Sequence, residues 1–87
     1  MEKIWSDLSW EQYTGLLEDK KIIKKINNLL KDIERNGERV GIGSPEELKG
    51  DLAGFFSRRI DEKNRLVYKI IDDRIYISQC ATHYGDK

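Results

Sequence analysis

The sequence of 87 residues is poor in the side chains that hold metals and cross-links, with one cysteine, Cys80, and one histidine, His83. A lone cysteine excludes an internal disulfide and is typical of a reducing compartment. Structural zinc sites use about four ligands, mostly Cys and His, so this composition argues against a zinc site. We therefore expect neither a metal nor a cofactor, and Cys80 is interpreted as a small buried apolar residue.

The chain also lacks long apolar runs and a net charge. No apolar run approaches the roughly 20 residues that span a bilayer, and "MEKIWSDLSW" has no hydrophobic signal-peptide region. The 16 Lys and Arg balance the 16 Asp and Glu, so bulk charge gives no sign of nucleic-acid binding. We expect a single cytoplasmic domain over residues 1–87, without membrane contact, in which any RNA chemistry depends on local placement of charge.

Two helices are predicted in the first half of the chain, after a short strand at "KIWS". Ser9 begins an S-x-x-Q capping box, and Ser6 is the competing cap. The inward face of this first helix would hold Trp10, Tyr13 and Leu17.

The second helix has the clearest pattern in the sequence, with Asp19 as its cap and Asn36-Gly37 at its end. Apolar residues recur every three or four positions and predict a buried stripe: Ile22, Ile26, Leu29, Leu30 and Ile33. The opposite face carries lysines and has two interpretations, a solvated surface or a ridge that contacts RNA: Lys20, Lys21, Lys24, Lys25 and Lys31.

The stretch "SPEE" predicts a short helical turn, with Ser44 as cap, Pro45 at the first helical position and Glu47 closing a capping box. Glu47 would then have a structural role, whereas Glu46 would have none. The modest interpretation of Glu46 is a favourable negative charge near a helix N-terminus. The alternative is a role in chemistry.

From Gly54 onward the apolar period changes to two. The segments "GFFSRRI", "RLVYKII" and "RIYISQCAT" are separated by the polar turns "DEKN" and "DDR" and predict three consecutive antiparallel strands. The predicted fold class is α+β: an N-terminal strand, two helices, then an antiparallel β-meander. Both helices would pack on one face of the sheet and leave the other face at least partly open.

Basic residues are concentrated in the first two strands of this meander. Alternation places Arg65 and Lys69 on one face of the middle strand, while Arg58 and Arg59 point to opposite faces of the strand before it. One of that pair should therefore lie beside Arg65, and two adjacent guanidiniums suit a phosphate. The alternative is ordinary surface ion pairing with nearby carboxylates: Asp61, Glu62, Asp72 and Asp73.

His83 follows the last predicted strand and precedes Tyr84. An isolated histidine is more often structural or exposed than catalytic. Its place at a strand end, beside an aromatic ring that can stack on a base, favours acid–base chemistry. A carboxylate, a guanidinium cluster and an imidazole are together the groups needed to cleave RNA without a metal: one group takes the 2′-hydroxyl proton, cations stabilise the phosphorane and an acid protonates the leaving oxygen.

Four stretches carry a resemblance to a known family: "IWSDLSWEQY", "KKINNLLKDIER", "PEELKGDLAGFFSRRIDEKNRLVYKI" and the closing "HY". Over nearly its full length the chain resembles the YoeB/Txe toxins of the RelE superfamily. These are bacterial toxin-antitoxin endoribonucleases that cut messenger RNA on the ribosome, with a fold similar to small microbial ribonucleases. The chain departs from the family in charge, because these toxins are commonly basic.

The resemblance implies roles for individual residues. Glu46 would be the general base, Arg65 would stabilise the transition state and His83 would be the general acid. Arg58 is left with a structural role or a ribosome contact. Three further residues would bind the substrate: Lys49, Arg59 and Tyr84.

The resemblance also implies partners: a cognate antitoxin protein that folds over the toxin, a second copy in a homodimer, and the ribosome with its mRNA. Three other functions remain open at this stage. They are a toxin of the same fold without nuclease activity, such as the gyrase-inhibiting ParE type; a ribonuclease that needs no ribosome; and a binding module that has lost cleavage.

Overall fold

The computed structural model describes residues 1–82, in which two α-helices pack on one face of a five-stranded sheet. The predicted α+β class is confirmed. In chain order the elements are β1 (Glu2–Trp5), α1 (Asp7–Gly15), α2 (Lys20–Asn36), β2 (Glu46–Glu47), a 3₁₀ turn (Gly50–Leu52), β3 (Phe56–Arg59), β4 (Arg65–Ile71) and β5 (Arg74–Thr82).

The sheet has the strand order β1-β5-β4-β3-β2. Strands β3, β4 and β5 form the predicted antiparallel meander. Strand β1 lies parallel to β5, with Glu2 opposite Arg74, so the sheet is mixed rather than purely antiparallel. An irregularity in the pairing of β4 with β5 lets both Ile77 and Cys80 point into the core.

The first helix is capped by Ser6, not Ser9: the Ser6 hydroxyl accepts a hydrogen bond from the Ser9 amide at 3.0 Å. Ser9 is buried, and its hydroxyl donates to the Ile77 carbonyl at 3.0 Å, which ties α1 to β5. Tyr13 packs against the core as predicted. The same prediction was wrong for Trp10 and Leu17, which are 52% and 54% exposed, because α1 is short and lies near the edge of the sheet.

The second helix matches its prediction in cap, stripe and end. The Asp19 carboxylate accepts from the Ile22 amide, and the helix ends at Gly37, whose φ of +88° favours glycine. Ile22 packs at the margin of the core. The other four residues of the stripe are buried against β3, β4 and β5: Ile26, Leu29, Leu30 and Ile33. Within residues 1–82, neither helix is long and apolar enough to cross a bilayer.

The helical turn predicted at Ser44–Glu47 was wrong. Residues Glu46–Glu47 form β2 instead, with Glu46 opposite Ser57 on β3, and the Leu48 amide donates to the Phe55 carbonyl at 2.9 Å. Ser44 has a φ of +53° and begins no helix. The local capping pattern was outweighed by ladder hydrogen bonds to β3, the next strand along the chain.

The loop between α2 and β2 is held by a buried arginine. Arg58 is fully buried, and its guanidinium donates to the Asp32 carboxylate, to the Tyr68 hydroxyl and to three loop carbonyls: Gly37, Val40 and Ile42. Of the two roles left open for Arg58, the structure supports the structural one. This pairing fixes the loop that leads into β2 and Glu46.

Candidate active site

The open face of the sheet brings together side chains from β2, β3 and β4. Glu46 and Glu47 are adjacent on β2 and point to opposite faces. Glu47 forms a surface ion pair with Arg39 at 2.9 Å. Glu46 instead faces β4, where its Oε1 lies 3.5 Å from Nη1 of Arg65. The two neighbouring carboxylates therefore have different surroundings: Glu47 pairs on the surface, and Glu46 faces the arginines.

Arg65 is the centre of this site. Its side chain is 17% exposed, and its Nη1 donates to the Ser57 hydroxyl at 3.2 Å while also lying near the Glu46 carboxylate. Ser57 is fully buried and sits directly across the ladder from Glu46. The guanidinium is therefore held from two sides, with part of its surface still open to solvent.

Arg59 lies on the same face as Arg65. This agrees with the prediction that one residue of the pair Arg58 and Arg59 lies beside Arg65. Arg59 and Arg65 are directly opposite each other in the β3–β4 ladder, while Arg58 faces the helices. Arg59 is exposed, and among residues 1–82 no carboxylate lies within 4.0 Å of its guanidinium. The predicted pairing of these arginines with Asp61, Glu62, Asp72 or Asp73 is absent from the described part of the chain.

Lys49 lies near Glu46 just beyond β2. It precedes the 3₁₀ turn Gly50–Leu52, is exposed, and lines with Glu46, Glu47 and Leu48 a surface depression of about 430 Å³. Two of the predicted site residues, His83 and Tyr84, lie outside the described residues. Of the six predicted residues, the structure places Glu46, Arg59 and Arg65 on one face of the sheet, and Lys49 follows just beyond β2.

Ser57 is the site residue that sequence reasoning missed. Serines are frequent on surfaces, and nothing in "FFSRR" distinguishes this one from a solvent-facing serine. The available signal was the strand alternation, which places Ser57 on the face of Arg59 and Arg65. Its importance follows only from the cross-strand register.

On the core side of the sheet, the surroundings of Asp32 and Cys80 shift the pKa of each side chain in a direction that keeps Asp32 charged and Cys80 neutral. The hydrogen bond from Arg58 is the largest cause that lowers the pKa of Asp32 below its ordinary value, so this carboxylate stays charged. On the core side, burial raises the pKa of the Cys80 thiol to about 11. Cys80 is fully buried, in agreement with its predicted role as a small apolar residue, and is a poor nucleophile at neutral pH.

The arrangement pairs a carboxylate that can accept a proton with a cluster of guanidiniums that can stabilise a phosphate. Arg59 and Arg65 provide donors that match phosphate oxygens in geometry and charge. Glu46 lies 3.5 Å from Arg65, so a phosphate bound to this guanidinium would have a carboxylate beside it. Within residues 1–82, no group of three or more His, Cys, Asp or Glu side chains is placed to hold a metal ion.

Comparisons with known proteins agree in family and in fold. Residues 5–84 match the family described as YoeB-like toxin of bacterial type II toxin-antitoxin system. Toxin YoeB of Escherichia coli strain K12 is 51% identical over 85 residues, which cover 97% of this chain and all of that protein. The heterotetrameric YoeB–YefM toxin-antitoxin complex of Staphylococcus aureus contains a chain with a TM-score of 0.91 and 47% identity, covering 97% of this chain and 98% of that chain. The YoeB dimer from the same organism matches with the same values.

Proposed function

Because the chain belongs to the family of YoeB-like toxins of bacterial type II toxin-antitoxin systems, we propose that it is an endoribonuclease that cuts messenger RNA in the ribosomal A site and so inhibits translation. The observation that carries this proposal is the contact between Glu46 and Arg65, 3.5 Å apart on the open face of the sheet. Attack of a ribose 2′-hydroxyl on the adjacent phosphate is accelerated by a base at the hydroxyl and a cation at the phosphate, and these two side chains can supply both.

In the proposed mechanism, the Glu46 carboxylate removes the proton of the 2′-hydroxyl. The oxygen then attacks the neighbouring phosphorus, and the guanidinium of Arg65 stabilises the negative charge of the phosphorane. His83 donates a proton to the departing 5′-oxygen, which completes the cleavage without a metal. Arg59, Lys49 and Tyr84 bind the substrate around the scissile phosphate. The products are a 2′,3′-cyclic phosphate and a free 5′-hydroxyl.

We propose that the ribosome supplies part of the substrate binding. The chain has no net charge, so it has little general attraction for free RNA. The lysines of α2 are all exposed on the face that points away from the sheet, where they could contact ribosomal RNA: Lys20, Lys21, Lys24, Lys25 and Lys31. A ribosome that holds the message in place would compensate for weak binding by the toxin itself.

We propose two protein partners in the cytoplasm. The first is a cognate antitoxin, in keeping with the YoeB–YefM complex of the Staphylococcus aureus relative. The second is another copy of this chain, in keeping with the YoeB dimer of that organism. An antitoxin segment folded over the open face would place acidic side chains near Arg59 and Arg65 and block access to the phosphate site.

The test is to incubate the purified protein with ribosomes paused on a defined message, with the same message alone in parallel, and to map new 5′ ends. We expect cleavage within the A-site codon only when ribosomes are present. Cleavage of both samples would show a ribonuclease that needs no ribosome. Cleavage of neither would contradict the nuclease proposal and would favour a toxin of the ParE type or a purely binding role.

A further inference from the structure

A second feature of the open face is an apolar pocket of about 230 Å³ that the proposed chemistry leaves unused. The pocket is centred on one row of side chains, which runs from β1 across β5 and β4 to Phe55, the residue before β3. Lys69 is opposite Tyr76 in the β4–β5 ladder, and Tyr76 is opposite Ile4 in the β5–β1 ladder. Phe55 closes the row on the other side, with its ring 4.5 Å from Nζ of Lys69.

This row lies next to the phosphate site. Side chains on one face of a strand repeat every two residues, or about 7 Å. Phe55 is one such step from Ser57, whose hydroxyl accepts a hydrogen bond from Arg65. Stacked nucleotides are spaced by about 3.4 Å, so the pocket begins about two nucleotides from the guanidinium. An RNA strand bound at Arg65 could therefore reach the pocket without bending away from the sheet.

Lys69 gives the pocket a cation without a carboxylate partner. The residue is half-buried, and among residues 1–82 no carboxylate oxygen lies within 4.0 Å of its ammonium. The aromatic ring of Phe55 provides the contact that the structure records for this ammonium, a cation–π interaction. A partly desolvated ammonium with no acceptor is expected to bind a ligand that carries one.

We propose that this pocket binds a nucleobase of the substrate RNA, that guanine is the preferred base, and that Lys69 determines the preference. Apolar walls from Ile4, Phe55 and Tyr76 would contact the flat faces of the base. The Lys69 ammonium would donate to O6 and N7, the two acceptors that guanine presents on one edge. This inference rests on the proposed function for its biological meaning, but base binding can be measured without cleavage.

The ammonium also argues for a base rather than an apolar side chain of a protein partner. An apolar side chain inserted into the pocket would desolvate Lys69 further without giving it an acceptor, which is unfavourable. A base offers both an apolar face and hydrogen-bond acceptors. The pocket therefore matches a nucleobase better than it matches a leucine or a phenylalanine.

The test is an NMR titration of the isotope-labelled full chain with GMP and, separately, with UMP. We expect GMP to shift the amide signals of Phe55, Lys69 and Tyr76, and to bind several-fold more tightly than UMP. Lys69→Met keeps the apolar stem and removes the ammonium, so it should weaken GMP binding several-fold, to about the affinity for UMP, and leave UMP binding nearly unchanged. Lys63→Met is the matched control, because it removes the same charge from the exposed turn between β3 and β4.

A second measurement links the pocket to cleavage. Ribosomes are programmed with messages that differ only at the positions up to about three nucleotides on either side of the cleaved bond, and single-turnover rates are compared. We expect the wild-type protein to favour guanine at one of these positions, and Lys69→Met to lose that preference. Tyr76→Phe keeps the aromatic wall and should retain the preference, whereas Tyr76→Ala should not.

The outcomes separate this inference from the proposed function. GMP binding at the pocket together with absent cleavage would contradict the nuclease proposal and support the base site. Cleavage with equal rates for all four bases, or GMP and UMP shifts of equal size, would overturn the base site and leave the nuclease proposal standing. Signals that shift elsewhere on the protein would also overturn it.

Discussion

Glu46 and Arg65 form an ion pair across the open face of the sheet, with Oε1 and Nη1 3.5 Å apart. The two side chains come from β2 and β4, and β3 lies between these strands and supplies Ser57 beneath the guanidinium. The carboxylate is about half-exposed, whereas the guanidinium is 17% exposed. A substrate phosphate can therefore approach the guanidinium while the carboxylate remains accessible to a ribose hydroxyl.

The first prediction concerns Ser57 as a positioning residue for Arg65. Ser57→Ala removes the hydroxyl that accepts from Nη1 and leaves the buried position filled by a methyl group. A lost hydrogen bond of this kind is worth about 1 kcal/mol, so we expect the cleavage rate on ribosomes to fall about fivefold. The loss should appear in kcat with KM little changed. An unchanged kcat with a lower melting temperature would show that Ser57 has only a structural role.

The second prediction concerns the buried pair of Arg58 and Asp32. Asp32→Asn would leave a fully buried guanidinium without its counter-ion, and breaking a buried pair from one side costs about 3–5 kcal/mol. We expect a large decrease in the free energy of unfolding, measured by urea denaturation. Asp51→Asn, at an exposed position, is the matched control and should change stability by less than about 0.5 kcal/mol. Equal stabilities of the two variants would contradict the role given to Arg58.

The third prediction is the pH dependence of stability. The pKa of Asp32 is lowered in the folded state, chiefly by its hydrogen bond from Arg58, so the unfolded chain binds this proton more tightly. The stabilisation is fully present above the ordinary aspartate pKa of about 3.9 and is lost as pH falls through the lower folded-state value. Urea midpoints measured from pH 6 to pH 2.5 should therefore fall below about pH 4. The slope should be smaller in Asp32→Asn, and identical slopes would contradict this assignment.

The fourth prediction concerns Cys80. Burial raises its pKa to about 11 and the side chain has no exposed surface, so the native protein should react very slowly with iodoacetamide at pH 8. The same reagent should modify the thiol rapidly in urea. Mass spectrometry of the modified fraction over time measures both rates. Fast modification of the native chain would contradict the burial of Cys80 or show that the region around β5 opens readily.

Elements with a strong local pattern were predicted correctly from the sequence. The apolar stripe of α2, its Asp19 cap and the meander of β3, β4 and β5 all depend on residue spacing that tertiary structure does not have to supply. Alternation and one hairpin predicted that either Arg58 or Arg59 lies beside Arg65, and the structure shows that it is Arg59. These features share a repeating pattern in neighbouring residues that the sequence displays directly.

Features that depend on partners without a local sequence signal were missed. The segment Ser44–Glu47 carries a local helix-capping pattern but joins the sheet through β3, which the sequence does not signal. Arg58 resembles Arg59 in sequence, yet it is buried because Asp32 and the carbonyls of the α2–β2 loop satisfy its guanidinium. The parallel pairing of β1 with β5 was also not predicted, because it joins the two ends of the described chain.

The most direct test of the account compares two adjacent carboxylates on ribosomes paused at a defined codon. Glu46→Gln removes the proposed general base, and Glu47→Gln removes a carboxylate that pairs only with Arg39 on the surface of the described chain. Single-turnover rates of A-site cleavage are measured for both variants and for the wild type, with circular dichroism to verify folding. We expect Glu46→Gln to lose between about 10² and 10⁴ in rate and Glu47→Gln to retain nearly all of it. Equal activity of the two variants would contradict the assignment of Glu46 as the base and, with it, the proposed cleavage mechanism.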